Sequence, residues 1–262
     1  MFCQFMTTAI FPETPSIVVA SALLLFSVYA ARNGIEVIGR LSEFIGPVIM
    51  IGILSIAFAL SKDMDFKALA PVMEKGFFSL LYGGLYISSL TTEILGLAMV
   101  LPYLNDHKKA KTVLISSFLF IVAWFLIITV SVLSTFGPLA RGFPFPTFEA
   151  VKVINIGDFL DRIEAVHMAL WVLGIFIKIA FYLYLTALGI GQLFNLKDYK
   201  PLVLPLAAVV LSLGSIIAPS IVELTEFISH EIFTWYALFF ILLVPSILLT
   251  TAIIRQKGDT GK

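Results

Sequence analysis

Long apolar runs, each near 20 residues, alternate with short polar stretches along the whole chain. Runs of that length cross a bilayer core of roughly 30 Å as α-helices. The pattern predicts seven spans, at roughly 16–31, 44–60, 77–103, 112–136, 165–193, 202–219 and 232–254. A transmembrane barrel would alternate polar and apolar positions over about ten residues, and no such alternation occurs here. The expected fold class is an all-α polytopic membrane protein.

The polar intervals differ in kind. Residues 61–76 form a charged connection with room for a short surface helix, and 137–160 read as a long loop bearing Pro and Gly. The opening, MFCQFMTTAIFPETPS, reads as the tail of another apolar helix followed by a turn between Pro12 and Pro15. We therefore expect the chain to begin inside a longer membrane protein. A secretory leader would need a basic start, and no Lys or Arg precedes Arg32.

Composition agrees with the pattern. Of 262 residues 60% are hydrophobic and 13% charged, and the mean hydropathy is +1.03. A soluble domain needs a more polar surface than that. Formal net charge is zero, so nucleic acid is not an expected partner. The sequence holds no phosphate loop, no His/Cys spacing suited to a metal and no nucleophile elbow; enzyme chemistry, metal and cofactor are not expected. Alternate loops differ in Lys and Arg. Arg32, Arg40, the Lys108–Lys111 cluster, Lys197, Lys200 and the C-terminal cations fall on one side, against a smaller set at Lys62, Lys67, Lys75, Arg141 and Lys152. The positive-inside rule makes the C-terminus cytoplasmic.

Lys178 is the residue that asks for a function. It lies near the middle of ALWVLGIFIKIAFYLYLTALGI (169–190), about 16 Å from either membrane face at the helical rise. A lysine stem extends only about 6 Å, too short to carry the ammonium to the headgroups. Placing a lysine there costs about 3 kcal/mol, so it should face protein or water. At helical spacing His167, Trp171, Gly174, Lys178, Tyr182 and Gly189 share one stripe, while Leu170, Leu173, Ile177 and Leu183 face elsewhere. Two readings are open: a structural lysine bonded to a neighbouring helix, or a cation at a ligand or ion site.

Glu93 is the second charge within a span, on a stripe with Tyr86, Ser89 and Gly96. It either reaches water at a membrane face or is protonated or paired, with Lys178 as the candidate partner. Gly83 and Gly84, followed by Ser88, Ser89, Thr91 and Thr92, are either a close-packing site or a helix break of the kind that frees backbone groups for a substrate. Seven spans and a buried lysine also suit a retinal protein. There, however, the lysine sits on the last helix, and two more spans follow Lys178.

Two stretches narrow the choice. YAARNGIEVIGRLSEFIGP (29–47) and LDRIEAVHMALWVLGIFIKIAFYLYLTALGIGQLF (160–194) resemble the spore germination permease family, the B subunits of nutrient germinant receptors in endospore-forming bacteria. The most specific positions are Gly34-Ile35-Glu36 with Gly39-Arg40, and Arg162-Ile163-Glu164 with Trp171 and Lys178. The resemblance implies a ten-helix, five-plus-five inverted repeat, of which these spans are helices four to ten. Residues 1–60 would complete the first repeat, 61–76 connect, and 77–262 form the second, all within one membrane domain. It also implies A and C subunits as partners, a small germinant such as an amino acid as ligand, and the spore inner membrane as location. Gly83, Gly84, Ser88, Ser89, Glu93, Trp171, Lys178 and Tyr182 would then line the ligand site, with Lys178 replacing the coupling cation of related transporters. The alternatives are an amino-acid permease or a non-functional truncated remnant.

Overall fold

A computed structural model describes residues 2–71, 73–89, 93–103, 107–154, 163–217, 220–228 and 233–255. Among them there are helices and turns and no strand. In chain order the α-helices are α1 (Phe2–Phe5), α2 (Ser16–Asn33), α3 (Ile35–Leu60), α4 (Gly76–Ser89), α5 (Glu93–Val100) and α6 (His107–Phe136). They continue with α7 (Pro146–Val153), α8 (Ile163–Leu193), α9 (Lys200–Ile217), α10 (Ile221–Phe227), α11 (Phe233–Leu238) and α12 (Val244–Ile254).

Six helices among the described residues are long and apolar enough to cross a membrane: Ser16–Asn33, Ile35–Leu60, Lys109–Gly142, Ile163–Leu193, Lys200–Ile217 and Phe233–Ile254. The protein is all-α and polytopic, as its pattern predicts. The seventh expected span, 77–103, is described as two shorter helices, α4 and α5, with residues 90–92 between them outside the described set. The last span widens to a π-turn over Phe239–Leu243, just before Pro245. Proline has no N–H to give and disturbs the turn that precedes it.

The chain forms two compact units, Met1–Val72 with Asp106–Ile216, and Met73–Asn105 with Ile217–Lys262. In the first, α8 is the central element and both α2 and α3 pack along it. Small residues make this close approach possible. Ser27 of α2 is fully buried, its hydroxyl donating to the Leu23 carbonyl at 2.8 Å and lying 3.4 Å from the Phe176 carbonyl of α8. Gly52 of α3 leaves room for Leu170 of α8. Such small contacts replace the hydrophobic effect as the driver of helix association in lipid.

Two expectations about connections need correction. The second span was expected from 44, but α3 begins at Ile35 and carries its polar first turns with it. Glu36 and Arg40, one turn apart, make a 2.7 Å ion pair on the exposed face. The stretch 137–160 is no plain loop. It holds a 3₁₀ segment, Gly137–Gly142, and helix α7, whose Phe148, Ala150 and Val151 are buried. Pro146 in the first turn of α7 favours helix initiation rather than ending one. Among its described residues the charged 61–76 connection carries a short 3₁₀ turn, Phe66–Leu69, capped by Asp65 accepting from the Lys67 N–H at 2.9 Å.

Gly34 sets the turn between α2 and α3 at φ 93°, ψ 176°, a region essentially reserved for glycine. A Cβ there would also lie 3.4 Å from the Tyr199 hydroxyl. Gly34→Val is expected to lower stability by about 1–3 kcal/mol, read as a fall in thermal midpoint in detergent. An unchanged midpoint would show that this turn relaxes freely.

The second unit contains α4, α5 and α10–α12, with α4 packed on α11. Ser89, Thr234 and Ala237 are buried within it.

Candidate functional site

The stripe around Lys178 opens on a cavity of about 430 Å³ inside the first unit. Helix α8 supplies His167, Trp171, Gly174 and Lys178 to its wall, four of the residues that share one face in the sequence. Eleven residues separate His167 from Lys178, so the cavity runs about 16 Å along the helix. Opposite stand Ile49 and Ile53 of α3 and Phe125 and Ile128 of α6. The run Pro144–Phe148 adds to the wall. A smaller void, about 60 Å³, adjoins it past His167 and Thr147 and reaches Ser131 of α6.

One end of the cavity is aromatic. Trp171 packs on Phe5 with ring centres 4.5 Å apart, and Phe5 meets Phe145 and Phe148 edge-on at 4.9 Å each. His167 lies buried between the rings of Phe148 and Trp171, 6.3 and 6.0 Å away. Edge-on aromatic pairs of this kind add about 0.5–1.5 kcal/mol each beyond area burial. The N-terminal segment, α8 and the 144–148 connection are thereby joined in one cluster. Lys178 lines the cavity two helical turns further along α8 from Trp171.

Some expectations fall elsewhere. Leu170, expected on another face, lines the cavity, as does Ile175. Tyr182 does not line it; its ring lies edge-on to Phe181. Helix α4 runs unbroken through Gly83 and Gly84, so no break occurs at the glycine pair. A Cβ at either glycine would meet nothing within 4 Å, so close packing does not require them here either. Ser88 donates to the Gly84 carbonyl at 2.8 Å and Ser89 to that of Tyr86 at 2.6 Å; both hydroxyls are served within their own helix. These residues belong to the second unit and Lys178 to the first. Thr91, Thr92 and Arg162 lie outside the described residues, as does the side chain of Glu93, and with it the Lys178–Glu93 pairing. Sequence reasoning missed the contribution of 144–148. Its signal was available: FPFPTF has three Phe in six residues, too apolar for a solvated loop.

A bundle of lipid-length helices with a cavity between them, lined among the described residues by Lys178, defines a polytopic α-helical membrane protein. Residues 1–220 match a family model described as "Spore germination protein", and the chain belongs to that family. It is similar to spore germination protein KB of Bacillus subtilis (strain 168), 29% identical over 266 residues that cover 98% of this chain and 70% of that protein. It also resembles the putative spore germination protein YfkT of the same organism, at 28% identity over 78% of this chain and 56% of the relative. Spore germination protein XB of Bacillus anthracis is 23% identical over 66% of this chain and 49% of its own length. No solved structure matches the chain.

Proposed function

We propose that this chain is the permease-like membrane subunit of a spore germinant receptor, sensing a small nutrient such as an amino acid. The observation that carries the reading is Lys178, central in its apolar span, in the wall of the same apolar cavity as Trp171. An intramembrane cation is costly unless it does something. Here it offers a charge to a ligand's carboxylate, while the apolar wall takes the ligand's body. Binding would stabilise one of two conformations and pass the change to A and C partner subunits. The family membership and the germination proteins among the relatives support the setting, a bacterial membrane; the cytoplasmic C-terminus rests on the loop charges alone. Tyr182, further along α8, remains a proposed contributor.

The test is Lys178→Met, which keeps the stem and removes the charge, in spores making this chain with its partners. The concentration of germinant for half-maximal response should rise at least tenfold while membrane accumulation stays normal. A wild-type response at wild-type accumulation sinks the reading. Uptake of labelled amino acid by vesicles separates sensing from carriage, since a sensor binds without accumulating label.

A further inference from the structure

The small void beside the main cavity brings three hydrogen-bonding side chains together in an apolar setting. Its volume is about 60 Å³, and it shares Ile53, Ile128, Thr147 and His167 with the larger cavity. A water-sized group needs about 10–15 Å³, so a hydroxyl enters with room to turn. His167 is nine-tenths buried where the two spaces meet. Neither its ring nor the Thr147 hydroxyl has a hydrogen-bond partner among the described residues. Ser131, also buried, donates its hydroxyl to the Ile127 carbonyl at 2.8 Å and keeps lone pairs to accept from a guest. A buried imidazole without a partner has given up its hydration for nothing, a loss that folded proteins almost always make good. The chamber therefore calls for an occupant that hydrogen-bonds. In its neutral form an imidazole presents one donor and one acceptor, and a threonine hydroxyl serves as either. A guest hydroxyl both gives and takes, so it satisfies all three side chains at once.

We propose that His167, Thr147 and Ser131 form a subsite for the hydroxyl of a small alcohol-bearing ligand whose compact apolar body lies in the adjoining end of the larger cavity. Trp171, Phe145 and Phe148 wall that end, and aromatic rings with a few convergent polar groups are what small-molecule sites are made of. Water fills the chamber when no ligand is bound, and the ligand's hydroxyl takes its place. His167 and Lys178 are eleven residues apart on α8, about 16 Å along the helix. A compact guest therefore touches one or the other, and the subsite is independent of the role proposed for Lys178.

The full chain, reconstituted in vesicles, provides its own reporter. Of its three tryptophans, Trp124 and Trp235 are replaced by Phe, leaving Trp171, whose ring lies 6.0 Å from that of His167. The probes are cyclohexanol and methylcyclohexane, which differ by a methyl in place of the hydroxyl, titrated against Trp171 emission. The expected result is a saturable change with cyclohexanol. Thr147→Val, which keeps the shape and removes the hydroxyl, should weaken it about fivefold, as the loss of one uncharged hydrogen bond does. His167→Phe should weaken it at least as much, and where that protein fails to accumulate Thr147→Val decides alone. The response to methylcyclohexane should be the same in all these proteins, as should any part due to solution in the lipid. Lys178→Met should leave cyclohexanol binding within about twofold; a larger loss would put the guest at the other end of the cavity and overturn the subsite. If cyclohexanol gives no saturable change, or one indifferent to Thr147 and His167, the chamber holds water only and the inference falls. The sensing role of Lys178 survives either failure, since the germinant response of Lys178→Met spores judges it separately.

Discussion

Gly52→Ala should lower the thermal midpoint of the protein, and adding Leu170→Ala should recover part of the loss. A Cβ at position 52 would lie 2.3 Å from Cδ1 of Leu170 and within 3.1 Å of two more of its carbons. Atoms do not approach so closely, so either α3 and α8 separate or Leu170 leaves its rotamer. Overpacking of this kind costs about 1–3 kcal/mol. Leu170 is nine-tenths buried and lines the cavity. Leu170→Ala alone leaves a void and costs about 2–5 kcal/mol. In the double variant the new methyl occupies part of that void. The two losses should therefore combine to at least about 1 kcal/mol less than their sum, a coupling expected only of residues in contact. Thermal unfolding of the four proteins in one detergent measures it. Simple additivity would mean that the two helices do not cross where this structure has them.

The second large effect is expected at Phe5. Its ring is completely buried among Phe145, Phe148 and Trp171. Removing such a ring costs about 3–5 kcal/mol where the site cannot collapse, and three rings from two separate segments cannot all move in. Phe5→Ala should lower the midpoint by more than any substitution on the lipid face. Phe26, 70% exposed on α2, is the control, and Phe26→Ala should change little. Because Phe5 also holds the 2–10 segment in place, Phe5→Ala should make that segment more sensitive to protease. Equal midpoints for the two variants would dissolve the aromatic cluster as a structural element.

Much of this architecture was legible because the bilayer imposes a length. An apolar run of about 20 residues has few alternatives to a membrane helix, and six such helices are found where the pattern places them. The lysine stripe was equally legible, since a charge at the midplane must face inward, and the helical repeat names its neighbours. His167, Trp171, Gly174 and Lys178 do share one cavity. What one helix meets is another matter. Nothing in the sequence places Ile53 or Phe125 across from Lys178, because contacts between helices depend on crossing angles that no local pattern encodes. Helix α7 was hidden for a different reason. Pro144 and Pro146 read as helix breakers, whereas Pro146 occupies the first turn, the one helical position where proline does no harm. Gly83 and Gly84 misled in the opposite sense: α4 carries both without a break, at a modest propensity cost.

Helix α8 spans 31 residues without a proline, and long helices bend sharply almost only at prolines or comparable defects. Near one end its Trp171 is clasped by the aromatic cluster. Thirteen residues beyond Lys178, about 20 Å further on, Gly191 lies against Tyr199, whose ring stands edge-on to Tyr184 at 5.3 Å. The Tyr199 hydroxyl in turn reaches the Ala31 carbonyl at 3.4 Å, beside the Gly34 turn. The helix is thus a stiff lever with a clasp at one end and a pin at the other. A tilt of this helix would bear on the α2–α3 corner through the tyrosine pin.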